Sequence, residues 1–217
     1  MKTQVFTFNP FQENTFVLYD ETKECIIVDP GCSTASEEAE LFAFIEREGL
    51  VPQRIVNTHN HIDHVFGITS VRQKYGVDFW CHPLEVDGLM RVPDYAPVYG
   101  FQVAPIAAPE RTITEHDNIE FGQTVLDLRF APGHSPGSLL LIHEASNTII
   151  AGDVLFQGSI GRTDLPGGDF NTLMESIKNQ LLTLPDHMQV YPGHGPATSI
   201  GVERTTNPFI LQYISGN

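Results

Sequence analysis

Four candidate metal ligands fall within six residues of the chain, in the segment His59-x-His61-x-Asp63-His64. The segment directly follows residues 54–57, whose branched side chains predict a strand. In a tight loop after a strand, the two histidines that are two residues apart can turn to one metal ion, and the Asp-His pair can turn to a second. Imidazole nitrogen and carboxylate oxygen suit zinc, and also iron or manganese. The motif therefore predicts a metal site, and it requires a fold that brings further ligands to the same place.

Three other segments place a ligand-type side chain beside glycine after a predicted strand. They are Ala131-Pro132-Gly133-His134, Ala151-Gly152-Asp153 and Tyr191-Pro192-Gly193-His194-Gly195. Glycine permits sharp turns, and loops at one edge of a sheet can assemble a site from distant segments. The remaining histidines lack this context and are predicted to be ordinary surface or core residues: His82, His116, His143 and His187.

The hydrophobic pattern predicts two successive halves, each with strands followed by helix. The predicted strands cover residues 5–8, 15–19, 25–28, 54–57, 78–81, 124–130, 138–142, 148–151 and 188–191. Predicted helices run from the capping box at Thr34 to Gly49, from the histidine motif to about Tyr75, and over residues 171–182. Residues 83–109 contain repeated prolines and are predicted to be a connector with one short helix. The halves divide near residue 110, which predicts two sheets packed between helices.

Composition limits the partners and the compartment that we expect. Lys and Arg number 12 against 27 for Asp and Glu, and the resulting net charge of −15 disfavours binding to nucleic acid or to anionic membranes. No apolar run reaches the roughly 18 residues of a membrane span, and no signal-peptide core follows Met1. The three cysteines are scattered and are predicted to be free thiols in a reducing cytoplasm. We predict one cytoplasmic domain over residues 1–217; the oligomeric state stays open, and a monomer is compatible with the sequence.

Taken together, the histidine motif and the three glycine-flanked segments resemble the metallo-β-lactamase-fold hydrolases, from Asp29 to His194. The resemblance implies an α/β fold, a four-layer αββα sandwich, with two divalent metal ions at one edge. Zinc is the expected metal, and iron or manganese are alternatives. The implied ligands are His59, His61 and His134 for the first metal, Asp63, His64 and His194 for the second, and Asp153 as a bridge between them.

The same resemblance implies roles for carboxylates. Asp63 and Asp153 would be the catalytic pair, and Asp29 would orient a metal-bound imidazole. The alternative for Asp29 is a simple Asp-Pro-Gly turn.

Residues 155–164, which include Gly161-Arg162-Thr163-Asp164, resemble the glyoxalase II-like branch and the related persulfide dioxygenases. The first resemblance implies hydrolysis of hydroxyacyl-glutathione thioesters by a metal-bridging hydroxide, with Arg162 binding a substrate carboxylate. A surface arginine is the alternative for Arg162. The second implies a mononuclear iron oxidoreductase that uses His59, His134 and Asp153. A lactonase and a catalytically inactive metal-binding protein are further alternatives, whereas true β-lactamases generally lack the bridging aspartate and carry export signals.

The tail from Gly195 to Phe209 resembles that of short bacterial glyoxalase II-like proteins. Only 23 residues follow His194 (217 − 194), too few for the helical extension that binds glutathione in glyoxalase II proper. We therefore expect hydrolysis of S-lactoylglutathione with weak discrimination against simpler thioesters.

Overall fold

Short runs of branched and aromatic residues form two six-stranded sheets that pack face to face. The computed structural model describes residues 1–216. The first sheet contains, in spatial order, β1 (Lys2–Phe8), β2 (Glu13–Tyr19), β3 (Glu24–Val28), β4 (Val51–Val56), β5 (Asp78–Cys81) and β6 (Arg111–Thr112). Its first three strands are antiparallel, and β3 to β6 are parallel.

The second sheet comes from the second half of the chain. Its spatial order is β14 (Thr198–Ser199), β13 (Gln189–Pro192), β10 (Thr148–Gly152), β9 (Leu139–His143), β8 (Thr124–Phe130) and β7 (Asn118–Phe121). The β10–β13 pair is parallel, whereas the other pairs are antiparallel. A small hairpin of β11 (Leu155–Phe156) and β12 (Ser159–Ile160) lies outside both sheets. The boundary between the sheets confirms the predicted division near residue 110.

Successive side chains of a strand point to opposite faces of the sheet and therefore join different apolar cores. In β2, Phe16 and Leu18 belong to the core that both sheets share, whereas Val17 belongs to the core under the first group of helices. Both faces of the strand are therefore buried, as expected for a sheet that is covered on both sides. The predicted four-layer α/β sandwich is confirmed.

The helices cover the outer faces of the sheets. They are α1 (Ala35–Glu48), α2 (Ile68–Tyr75), α3 (Val86–Tyr95), α4 (Phe170–Ser176), α5 (Ile200–Thr206) and α6 (Pro208–Ser215). The capping box of Thr34 and Glu37 is present at the start of α1, and Gly49 ends the helix with φ of 65°. Among residues 1–216, no helix has the length and apolar character needed to cross a membrane.

The structure corrects the prediction in three places. The helix predicted over 171–182 divides into α4 and a π-helical turn over Ile177–Leu181. The connector 83–109 contains more helix than expected, because 3₁₀ turns at Pro83–Glu85 and Ala96–Tyr99 flank α3. The structure also contains very short strands and two C-terminal helices that were not predicted from the sequence.

Candidate metal centre

The predicted ligands meet at one edge of the sandwich because each follows the end of a strand. The histidine motif follows β4, and the 3₁₀ turn Ile62–His64 separates its two halves. His134 follows β8, Asp153 follows β10, and His194 follows β13. The carboxyl ends of neighbouring strands thus bring together side chains that are up to 135 residues apart in sequence (194 − 59).

Three histidines form the first group. His61 Nδ1 lies 2.9 Å from His134 Nε2, and His59 Nε2 lies 3.2 Å from the same atom. Such close approach of three imidazole nitrogens suits a shared cation, because each neutral ring can direct a lone pair to it. The structure thus brings together the three residues predicted for the first metal.

The second group contains Asp63, His64 and His194. Asp63 Oδ2 lies 3.1 Å from His194 Nε2 and 3.8 Å from His64 Nε2. One ligand atom from each of the three lies within 4.8 Å of the other two. Asp63 and His64 thus face His194, while the ring of His64 also lies beside that of His59, with 4.1 Å between the ring centroids.

Asp153 lies between the groups. Its Oδ2 is 3.5 Å from both His134 Nε2 and His194 Nε2, and its Oδ1 is 3.5 Å from His64 Nε2. Gly193 makes room for this carboxylate, because a Cβ there would overlap Asp153 Oδ1. The position is the one that a carboxylate bridging two ions would need.

In three of the imidazole rings, a hydrogen bond at Nδ1 determines that Nε2 faces the ligand cluster. His134 Nδ1 contacts the Arg162 carbonyl at 2.8 Å, and His194 Nδ1 contacts the Phe11 carbonyl at 3.0 Å. Because a carbonyl only accepts, each Nδ1 carries the proton and Nε2 is left free as a ligand. His64 Nδ1 lies 3.1 Å from Asp29 Oδ2, which has the same effect.

Asp29 is fully buried and contacts the ligands from behind. It accepts hydrogen bonds from Thr58 N at 2.7 Å and from Thr58 Oγ1 at 2.5 Å, besides its contact with His64. Asp29, His59 and His64 also lie close enough to form a third ligand group. The Asp29 oxygens are already engaged by Thr58 and by His64 Nδ1, the nitrogen that faces away from Asp153, an arrangement that suits orientation of the ring.

Burial and charge set the protonation of the site. Burial lowers the pKa of His59 well below its ordinary value and lowers the pKa of His61 to about 4, so both are neutral at pH 7. Burial opposes the charged form of His64, but Asp63 and Asp153 outweigh it and raise its pKa. Burial also opposes ionisation of Asp153, yet the imidazoles around it, His64 first, hold its pKa below the usual range. His59 and His61 can thus offer a lone pair to a cation, and Asp153 carries a negative charge.

A second observation also indicates that these side chains suit divalent cations. His64 Nε2 and Asp153 Oδ1 are buried without a hydrogen-bond partner among the described residues. Leaving a buried polar atom unpaired costs about 1–3 kcal/mol, more for a charged group. Both atoms face the interior of the ligand cluster, where a bound cation would satisfy them.

Arg162 lies at the rim and outside the ligand cluster. Its side chain is 57% exposed, and its Nε and Nη2 donate to Asp164 at 2.7 and 2.8 Å. Three further residues lie at the centre that were not predicted from the sequence. The Phe11 carbonyl accepts a hydrogen bond from His194, and the buried Glu13 has its Oε1 3.8 Å from His64 Nδ1. Glu85 contacts the loop that contains His59 and His61 and the loop that contains His134. Their only sequence signal is a polar or turn residue beside a strand or helix, which is too common to single them out.

Comparison with known proteins gives a family match over most of the chain. The sequence profile described as the metallo-beta-lactamase superfamily matches residues 8–194. A Bacillus subtilis protein named probable metallo-hydrolase YqgX is 38% identical over 97% of this chain and 98% of its own length. Hydroxyacylglutathione hydrolase GloC of Haemophilus influenzae is 34% identical over 97% of this chain and 98% of its own length.

Solved structures give the same picture. The crystal structure of BLEG-1 B3 metallo-beta-lactamase superposes with a TM-score of 0.89 at 34% identity, covering 96% of this chain and 99% of the other. The structure of TTHA1623 in a di-iron-bound form superposes with a TM-score of 0.86 at 34% identity, covering 95% and 99%.

Proposed function

The chain belongs to the metallo-beta-lactamase superfamily, and from that premise we propose that it is a two-metal hydrolase of hydroxyacyl-glutathione-type thioesters. The observation that carries the proposal is the convergence of two ligand groups on the Asp153 carboxylate, whose oxygens lie 3.5 Å from histidines of both groups. A mononuclear site would need only one of these groups.

The residues would divide the work as follows. His59, His61 and His134 would hold one cation, Asp63, His64 and His194 the other, and Asp153 would contact both. Two divalent ions so held would acidify a water molecule and polarise a carbonyl oxygen. Asp63 and Asp153 are predicted to be charged at neutral pH, since the imidazoles around them lower the pKa of each despite burial. Either carboxylate can therefore accept a hydrogen bond from the attacking water.

Hydrolysis of a thioester does not require a protein acid to protonate the leaving group. A thiol has a pKa near 8.5, so the departing sulfur leaves as a thiolate without a protein acid. An amide or a simple ester would need its leaving group protonated. This difference favours thioesters as the substrate class, because their hydrolysis does not depend on a protein acid.

Arg162 is proposed to bind a carboxylate of the substrate. It follows Asp153 in the chain after the hairpin of β11 and β12, and its guanidinium already donates to both oxygens of the Asp164 carboxylate. A substrate carboxylate could replace Asp164 in the same bidentate geometry. The net charge of −15 gives an anionic substrate no long-range attraction, so such local contacts matter more.

The relatives support the thioester and leave the metal open. The GloC relative is a named hydroxyacylglutathione hydrolase, and 98% of its length is covered by this chain. Nearly the whole length of a protein with that name is thus matched by this chain, which supports a glutathione thioester as substrate. The di-iron form of TTHA1623 makes iron an alternative to zinc. We propose zinc, because the His-rich first group is the donor set that zinc favours.

The experiment compares kcat/KM across substrates that represent the competing activities. The protein is loaded with zinc or with iron and assayed with S-lactoylglutathione, a lactoyl thioester of a neutral thiol, a lactone, glutathione persulfide and a β-lactam. We expect the thioesters to be turned over fastest. Faster turnover of the β-lactam, an outcome that the similarity to BLEG-1 makes worth testing, would contradict the proposal, and so would faster turnover of the lactone or the persulfide.

Two histidine variants make the assay specific. His134→Ala removes a ligand that faces both Asp153 and the other two histidines of its group, so kcat/KM should fall by about a hundredfold or more. His116→Ala is the matched control, because His116 lies at the surface with a side chain 86% exposed. Equal activity of the two variants would place catalysis elsewhere.

A further inference from the structure

Glu85 is a buried carboxylate behind the three-histidine group. It ends the 3₁₀ turn Pro83–Glu85 and is 3% exposed. No lysine or arginine forms an ion pair with it within residues 1–216. A buried carboxylate without a cation must be satisfied by hydrogen-bond donors.

Those donors come from both loops of the first ligand group. Glu85 Oε2 accepts from Asn60 N at 2.8 Å, and Asn60 lies between His59 and His61. Glu85 Oε1 accepts from Gly137 N at 2.6 Å and from the Ser135 hydroxyl, both just after His134. One carboxylate therefore holds the loop of two histidines against the loop of the third.

Two further contacts tie the turn to the same loops. Asn60 Nδ2 donates to the Glu85 backbone carbonyl at 3.3 Å, so backbone and side chain both hold Asn60. At Gly137, a Cβ would lie 2.8 Å from Glu85 Cγ and 2.8 Å from His82 Nδ1. A side chain at Gly137 would push Glu85 away, so the glycine permits the close approach of this loop.

We propose that Glu85 is a positioning residue that fixes the separation of the two loops and thereby sets the metal affinity of His59, His61 and His134. The inference rests on the proposed metal site. Its physical basis is geometric: three imidazole nitrogens bind one ion tightly only when their loops hold them at the right spacing.

The variant Glu85→Gln distinguishes the hydrogen bonds of Glu85 from its contribution to packing. A carboxylate offers only acceptors, whereas an amide must turn its NH₂ group toward at least one of the facing backbone N–H groups. Glu85→Gln keeps the volume but must lose the contact with Asn60 N or with Gly137 N. One loop is then released while the packing is retained.

The experiment is a zinc titration in competition with a chromophoric chelator, without substrate. We expect wild-type protein to bind two zinc ions, Glu85→Gln to weaken one of them about tenfold, and Glu85→Ala to weaken it by up to about a hundredfold. Ser135→Ala, which removes only one donor, serves if the alanine variant at Glu85 does not fold, and should give a smaller loss. Wild-type affinities in Glu85→Gln would overturn the proposal.

Glu203→Gln is the matched control. Glu203 is also fully buried and accepts from Gly158 N at 2.8 Å, Thr198 Oγ1 at 2.6 Å and Asn207 Nδ2 at 2.8 Å, but none of these residues is a predicted ligand or its neighbour. It should keep both zinc affinities. An equal loss in both glutamine variants would show that any weakened fold releases metal, and would overturn the proposal.

A double variant identifies which ion is affected. With His134→Ala the first group is already lost, so adding Glu85→Gln should leave the remaining zinc affinity unchanged. A further loss in the double variant would place the effect of Glu85 outside the first group and contradict the proposal. Two bound zinc ions without thioester hydrolysis would refute the proposed function but not this inference.

Discussion

At the scale of single residues, the centre depends on which nitrogen each imidazole presents. His134 and His194 donate Nδ1–H to the backbone carbonyls of Arg162 and Phe11, and His64 directs Nδ1 to Asp29. His61 is the exception, since its Nδ1 faces the ligand cluster. The sequence identifies these residue types and their spacing. It does not determine the ring orientation, because the carbonyls that decide it belong to residues distant in sequence.

The first residue-scale prediction concerns Asp153. Asp153→Ala should lose at least one metal and most of the hydrolytic activity, because this side chain lies 3.5 Å from histidines of both groups. The protein should stay folded, since the carboxylate is surrounded by polar ligands and Asp63 still faces the imidazole of His64. Elemental analysis together with circular dichroism checks both statements.

Asp127→Ala is the control for that variant, because Asp127 is exposed on β8. It should retain the metal content of the wild type. If Asp153→Ala also retained full metal content and normal turnover, the bridging assignment would be wrong.

The second residue-scale prediction concerns Arg162. Arg162→Ala should raise KM for an anionic thioester about tenfold while kcat changes less, which is the mark of lost uniform binding. Asp164→Ala removes the competing carboxylate and should leave KM unchanged or lower it. Arg91→Ala, at another exposed arginine, is the control. An unchanged KM in Arg162→Ala would return this residue to an ordinary surface role.

At the scale of elements, a strand or helix can be predicted from the sequence only when its hydrophobic pattern is long enough to show a period. The capping box of α1 and the five- to seven-residue strands β2, β3 and β8 carry enough periodicity to be recognised. Strands β6, β11, β12 and β14 have two residues each, which is too short for any period. Tertiary contacts decide such elements. Glu203, for example, ties the hairpin of β11 and β12 to the C-terminal helices through Gly158 and Asn207.

The same limit explains why Glu85 was not found in the sequence. It lies in the proline-rich segment 83–109, where no clear pattern predicts which side chains are buried. By contrast, every predicted ligand stands directly after a strand and beside glycine or within the histidine motif. Residues that bind a metal leave a local signal, whereas a residue that holds two distant loops together leaves none.

An element-scale prediction concerns Asp20, at the turn between β2 and β3. It accepts hydrogen bonds from Thr22 N at 2.9 Å and from Gln123 N at 2.7 Å, and so joins the turns of the two sheets. Burial would raise the pKa of Asp20, but its hydrogen bonds, including those from Thr22 Oγ1 and Thr124 Oγ1, outweigh that effect and lower the pKa to about 2.

The sign of the pH dependence follows from that shift. Because the folded pKa lies below the ordinary value of 3.8, Asp20 stabilises the fold above that pH, and the contribution is lost as the pH falls toward about 2. Asp20→Asn should lower the free energy of unfolding by about 1 kcal/mol at pH 6, and the difference from wild type should shrink between pH 4 and 2. Urea unfolding of both proteins measures this. A difference that stayed constant over the window would contradict the account.

At the scale of the whole molecule, the packing of the two sheets brings together the strand ends that carry the predicted ligands. The two sheets come from successive halves of the chain, and the site lies where β4 of one sheet meets β8, β10 and β13 of the other. Neither half alone contains both complete ligand groups, because His134 and His194 come from the second half. The packing of Phe16 and Leu18 with apolar residues of both sheets is therefore also what holds the two halves of the metal centre in place.

The central claim is that this centre works with two metal ions on a thioester. The most direct test adds zinc stepwise to metal-free protein and follows hydrolysis of S-lactoylglutathione. We predict little activity below one zinc per chain and a rise to a plateau at two, because both ligand groups must be filled around Asp153. Full activity at one metal per chain, or no hydrolysis at any loading with zinc or iron, would contradict the account.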